Sequence, residues 1–215
     1  MSSLVQAIPR LMEGLSLTVQ LVLCSVPLGL AIGITIALLR TYGGPLLSPL
    51  ARTYQLLFRG TPLLVQLFII YYGLPYCGIL LSPFESAILA FGLCSGAYHS
   101  EYLRGAILSI ADDQLDAARA LGMSRLKSIT SVVIPQMVRK ALPSCSNEII
   151  YLIKYSSLAY LVTLVELMGQ GRLIASETFR FFEVFLLVGL IYLAMVTLVG
   201  WLLQSLERKI HVPGM

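Results

Sequence analysis

Five long apolar runs, separated by short polar segments, dominate the chain. From Gly14 to Leu39 no residue is charged. About 20 apolar residues in helical form cover the hydrocarbon of a bilayer, so a first span is predicted near residues 15–39. A short lead, 1–14, precedes it and is interrupted by Pro9. Arg40 closes the run, and the following TYGGPLLSPLAR has the composition of a turn. A second span is expected near 54–81, kinked in its first third where Pro62 removes a helix hydrogen bond. A third lies near 84–110 and a fourth near 145–168. Gly169 to Arg180 reads as a polar loop, and a fifth span lies near 185–206, before a basic tail, 207–215. Residues 111–142 form the longest polar interruption.

The fold class is therefore an all-α polytopic membrane protein with five transmembrane helices. Composition agrees: the 215 residues are 57% hydrophobic and 12% charged, against roughly 25% charged residues in soluble domains. The N-terminus lacks the pattern of a cleavable signal, so the first span is expected to be a permanent anchor. Four scattered cysteines without a CxxC pair, and no histidine cluster, favour lone thiols over a metal site. The basic residues set the orientation. Arg40, Arg52, Arg104, Arg119, Arg125, Lys127, Arg139, Lys140, Arg208 and Lys209 fall on one side, and Arg10, Arg172 and Arg180 on the other. The N-terminus is expected outside, with the 111–142 loop and the C-terminus in the cytosol.

Catalytic signatures are missing. There is no Gly-Lys dipeptide, hence no phosphate-cradling GxxxxGK[ST] loop, and no GxSxG or HExxH. If ATP drives transport here, another subunit must hydrolyse it. The polar loop has its own architecture. Leu115 to Leu121 is alanine-rich and should be helical. Gly122 suits the positive φ of a helix end, Ser124 can cap a second short helix over 125–129, and Pro135 marks re-entry toward the membrane. Two readings stand side by side: a rigid L-shaped projection, or an amphipathic surface helix with Arg125 and Lys127 on anionic headgroups.

The two polar spans carry intramembrane charges, which are functional candidates by default. Counting from the expected span ends, Glu101 and Lys154 lie at similar depth, and they are expected to pair or to line one polar cavity with Tyr98, Glu148, Ser156 and Ser157. Alternatively Lys154 snorkels to an interface or pairs with Glu148 structurally. Arg59 is read first as an interfacial anchor, with a cavity role as the alternative. Glu166 and Glu183 are expected to be solvated, or to contact a partner, at the outer boundary.

Asp116-Ala117-Ala118, then Gly122, then Ile134-Pro135, resemble the EAA loop of ABC-importer permeases, with Asp116 at the position of the usual Glu. Phe58-Arg59-Gly60-Thr61-Pro62 resembles the second-helix motif of the polar amino-acid subfamily, as do Tyr98, Glu101 and Arg104-Gly105, and Pro143 with Asn147-Glu148. The resemblance covers residues 15–206. It implies a bacterial inner-membrane permease that pairs with a second permease chain, the same or related. A cytosolic ABC ATPase dimer would dock on the coupling loop, at Asp116, Ala117, Ala118, Gly122, Arg125, Lys127 and Pro135. An extracytoplasmic binding protein would deliver a polar amino acid. It implies no cofactor in this chain, ATP and Mg²⁺ belonging to the ATPase; membrane lipid is a partner and nucleic acid is not. Two other classes remain open from the residues alone: an ion- or proton-coupled secondary transporter using His99, Glu101 and Lys154, and a structural membrane subunit without a substrate path.

Overall fold

The computed structural model describes residues 2–110 and 112–210, and among these every regular element is helical. The order is α1 Ser2–Tyr42, α2 Gly44–Gly60, α3 Leu63–Phe68, α4 Pro83–Leu108, α5 Asp112–Ala120, α6 Arg125–Ser128, α7 Ile134–Tyr155, α8 Leu167–Thr178 and α9 Phe181–Ile210. A wide π turn, Ile69–Gly73, and a tight 3-10 turn, Leu74–Cys77, extend α3. A π turn, Ile129–Val133, joins α6 to α7, and a 3-10 segment, Ser156–Val162, extends α7.

Glycines set the central contact, that of α1 on α4. Gly29 and Gly33 on α1 face Gly92 and Gly96 on α4. A Cβ at Gly33 would stand 2.5 Å from Cβ of His99, and one at Gly92 would stand 2.5 Å from Leu28 Cδ2. Both helices thus carry a small-xxx-small stripe, the arrangement that lets membrane helices approach backbone to backbone. Behind it, α4 is buried along most of its length: Phe91, Ser95, Ala97, His99 and Ser100 have at most 1% exposure. A capping box starts α4, the Ser82 hydroxyl accepting from Glu85 N–H and the Glu85 carboxylate accepting from Ser82 N–H.

Four boundaries differ from those read off the sequence. The lead is not a separate segment: α1 runs through Pro9, because Ala7 and Leu11 pack against Leu167, Ile174 and Val184 and hold the first turns in place. The expected second span straddles a break rather than a kink. α2 begins at Gly44 and ends at Gly60, and the segment from Leu63 leaves it at 103°. The open carbonyls at this corner are satisfied by one side chain, the Gln66 amide donating to Phe58 O at 2.8 Å and Thr61 O at 2.9 Å. Gln66→Leu, which fills the same space without the donors, should therefore lower stability by about 1 kcal/mol for each hydrogen bond lost at this part-buried corner. The check is a denaturation curve of the purified chain in detergent; an unchanged midpoint would remove the corner's dependence on Gln66.

The third difference is α7, which starts at Ile134, eleven residues before the expected fourth span, with Pro135 in its first turn where a missing N–H costs nothing. The fourth is the polar loop expected over Gly169 to Arg180, which is instead α8. Its Leu167, Gly171, Ile174 and Ala175 form a buried helical stripe, with Gly171 so close to α9 that a Cβ there would stand 2.6 Å from Val188. By length and composition, α1 from Ala7 and α9 can each cross a membrane. Two bent pairs, Gly44–Gly60 with Leu63–Cys77 and Arg125–Val162 with Leu167–Thr178, bring the number to four if each is one span.

Candidate functional site

The segment between α4 and α7 stands out from the bundle. α5 ends where Gly122 turns the chain at φ +80°, a conformation that costs a residue with a Cβ, and Met123 N–H closes back on Ala118 O at 3.1 Å. The Ser124 side chain then accepts from Lys127 N–H at 3.4 Å and starts α6. The result is two short helices meeting at a glycine corner. Ala118 of α5 is buried, at 5% exposure. Asp116, Ala117, Arg119, Arg125 and Lys127 are exposed. So are two leucines at the corner, Leu121 at 85% and Leu126 at 73%.

The projection is tied to the bundle. Gln136 of α7 donates to the Gln114 side chain at 2.6 Å, and Lys140 donates to Ser109 O, at the end of α4, at 2.9 Å. Arg125 lies over the ring of Tyr42, at the end of α1, at 6.0 Å. Asp116 makes its ion pair within α5, with Arg119 at 3.7 Å, so its carboxylate faces outward with 74% of the side chain exposed.

A second constellation joins α1, α2 and α4 near the same end. The Glu101 carboxylate receives Arg40 at 2.6 Å and lies 3.5 Å from Arg59, whose guanidinium sits 5.2 Å from the centre of the Tyr98 ring. Arg59, Tyr98 and Glu101 thus come together as one cluster. Arg40, read from the sequence as the end of a span and as one of the basic residues that set the orientation, completes it.

Lys154 does not belong to this group. It is exposed, 5.0 Å from the ring of Tyr151, and its level in the bundle explains why. Cys145 belongs to the buried cluster that holds Leu103 and Ala106, whereas Leu152 belongs to the one that holds Ala90 and Phe91. Lys154 therefore stands near the level of Phe91, about ten residues or ~15 Å along α4 from Glu101. The equal-depth expectation failed because it counted from residue 145 instead of from Ile134. Glu148, one turn beyond Cys145, is buried at 5% exposure. Ser156 and Ser157 turn their hydroxyls back onto the carbonyls of Ile153 and Lys154.

The polar centre that the sequence did not reveal is Glu166. Expected to be solvated, it is fully buried. Its carboxylate caps α8, accepting from Met168 N–H at 2.9 Å and Gly169 N–H at 3.0 Å, and also accepts the hydroxyls of Thr18 at 3.2 Å and Tyr192 at 2.9 Å. One side chain thereby ties α1, α8 and α9. Nearby, Arg10 and Glu177 form a two-pronged pair at 2.6 and 3.0 Å. The available signal was a carboxylate placed just before a helical apolar stripe.

Among the described residues no group of histidine, cysteine or carboxylate side chains could hold a metal. The arrangement is one of hinges, caps and an outward-facing projection. It matches a known pattern: residues 29–212 fit the model of the binding-protein-dependent transport system inner membrane component. The chain belongs to that family. It is 39% identical to the octopine transport system permease protein OccM of Rhizobium meliloti, over 94% of this chain and 89% of the relative. It is 35% identical to the glutamine transport system permease protein GlnP of Escherichia coli, over 98% and 97%. Among solved structures it resembles a crystal structure of an amino acid ABC transporter with histidines, at 34% identity and a TM-score of 0.88, over 96% of this chain and 97% of that one. Membership of this family makes the protein a membrane-integral transport permease, and it sets aside both the autonomous secondary transporter and the purely structural subunit.

Proposed function

We propose that the chain translocates polar amino acids across a bacterial inner membrane as the permease subunit of an ATP-driven importer, and that the α5–α6 projection is its contact with a separate ATPase. The observation that carries this is the projection itself: a glycine-cornered pair of helices presenting Leu121 and Leu126 to solvent while tied to the ends of α1, α4 and α7. An apolar tip on a tethered rigid element suits insertion into a cleft on another protein. The names of the relatives support polar amino acids as cargo.

In this reading α1, the bent α2–α3 pair, α4, the bent α7–α8 pair and α9 are five spans. The distribution of basic residues supports an N-terminus outside, with the projection and C-terminus in the cytosol. A second permease chain, the same or related, completes the pathway, and an extracytoplasmic binding protein supplies the substrate. ATP and Mg²⁺ belong to the ATPase dimer. The Arg59, Tyr98 and Glu101 cluster, with Glu148 deeper in the bundle, lines the path or its inner gate, where both charge signs meet an amino acid's ammonium and carboxylate. Lys154, Ser156 and Ser157 lie toward its outer half.

Proline at residue 122 requires φ near −65° where the chain holds +80°, and it removes the N–H that donates to Arg119 O at 2.8 Å. Gly122→Pro should therefore lower ATP-driven uptake by tenfold or more in proteoliposomes holding permease, ATPase and binding protein. Ala117→Asp, on the exposed face of α5, should do the same by placing a charge in the contact. Both variants should keep the elution profile of the isolated permease. Wild-type uptake and normal copurification of the ATPase in both would refute the docking role.

A further inference from the structure

The cytosolic end of α9 forms a cavity with α7 that the transport reading does not use. It has a volume of about 300 Å³, and its walls include Arg139 and Pro143 from α7 and Gln204, Glu207 and Arg208 from α9. Among the described residues neither arginine forms an ion pair. With Glu207, the lining carries a net charge of +1. An apolar groove on α9 includes Leu190, Ala194, Thr197 and Trp201. These positions and Gln204 and Arg208 recur at steps of four, three, four, three and four, so groove and cavity stand on one face of one helix. Leu190 to Trp201 covers about 16 Å, close to half of the ~30 Å hydrocarbon of a bilayer.

We infer that this face binds one anionic phospholipid, its phosphodiester between Arg139 and Arg208 and an acyl chain along Trp201, Thr197, Ala194 and Leu190. Charge complementarity selects the occupant: one phosphodiester charge neutralises the excess of one, and Gln204 offers a further donor. Basic pockets between membrane helices on the cytosolic side are suited to anionic headgroups. The assignment rests on the orientation proposed above, which places Arg139 and Arg208 in the inner leaflet.

Trp201 is the only tryptophan of the chain, so it reports on its own site. The full chain is reconstituted in phosphatidylcholine bilayers doped with brominated phosphatidylglycerol or brominated phosphatidylcholine, and quenching of Trp201 is followed. The phosphatidylglycerol probe should quench more at equal mole fraction and saturate early. In Arg139→Gln/Arg208→Gln its relative binding constant should fall by about twenty-fivefold, a factor of about five per guanidinium. Lys209→Gln, a neighbouring exposed cation outside the lining, should change it by less than about twofold. Arg208→Gln alone, near the exposed helix end, serves if the double variant fails to fold, with a loss of about fivefold. Equal quenching by both probes would overturn the site, as would an equal loss in Lys209→Gln. Competition by millimolar inorganic phosphate would overturn the lipid assignment in favour of a free-anion site. The measurement needs neither uptake nor ATPase, so a negative result leaves the transport reading standing. Protease access to the C-terminus in inverted vesicles tests the orientation separately.

Discussion

Gly33→Ala should destabilise the protein by about 1–3 kcal/mol, although it adds a single methyl group to a helix. In open surroundings the same change favours a helix by roughly 0.5–1 kcal/mol. Here the new Cβ would stand 2.5 Å from Cβ of His99, 3.2 Å from Ser100 N and 3.3 Å from Gly96 O. Two of these neighbours are backbone and the third is the root of a fully buried side chain, so none can swing away. Relief requires α1 and α4 to separate, which opens the packing along the whole stripe; overpacking of this kind costs about 1–3 kcal/mol or more. Gly189→Ala is the control: it lies mid-helix on α9 with nothing within 4 Å of the added atom, and should be neutral or slightly stabilising. Denaturation of both variants in the same detergent decides the matter. Equal midpoints would mean that the α1–α4 contact is looser than described.

Glu166→Ala should cost about 3–5 kcal/mol, the largest loss expected from a single polar side chain here. Removing an N-cap costs about 0.5–2 kcal/mol. In addition, the buried Thr18 hydroxyl and the half-buried Tyr192 hydroxyl lose their acceptor, a penalty of about 1–3 kcal/mol for each that is left unpaired. Glu166→Gln separates the contributions. It keeps one acceptor oxygen for the cap but presents an amide donor to groups that are themselves donors, so it should fall between wild type and alanine. Tyr192→Phe in the Glu166→Ala background should then cost nothing further, because the partner is already gone. Additive losses would show that Glu166 and Tyr192 do not share the bond at 2.9 Å.

What the sequence conveyed depended on whether the cause was local. Gly122, Ser124 and Pro135 act within a few residues of themselves, so the two helices and the corner of the projection could be placed from the chain alone. The family resemblance rested on the same short-range pattern. α8 could not be placed this way. Its glycines and charges read as loop, and what makes it a helix lies far off in the chain: Val188 against Gly171, and Thr18 and Tyr192 around the capping Glu166. The partner of Glu101 was hidden for a related reason. Arg40 looked like the end of a span because hydropathy stops there, yet α1 continues to Tyr42 and carries the guanidinium to Glu101. An error of eleven residues in the start of α7 was enough to bring Lys154 to a level it does not occupy.

The four glycines between α1 and α4 have a mechanical effect as well as an energetic one. Side-chain layers absorb small displacements by changing rotamer, whereas backbone in contact with backbone has no rotamers to change. At Gly33, where an added Cβ would meet Ser100 N and Gly96 O, the two helices are therefore joined stiffly, and a displacement of the projection that moves α4 should move α1 with it. The 103° corner at Thr61–Pro62 is of another kind: one amide side chain holds its carbonyls, while Leu67 and Ile70 beyond it stay packed in the core.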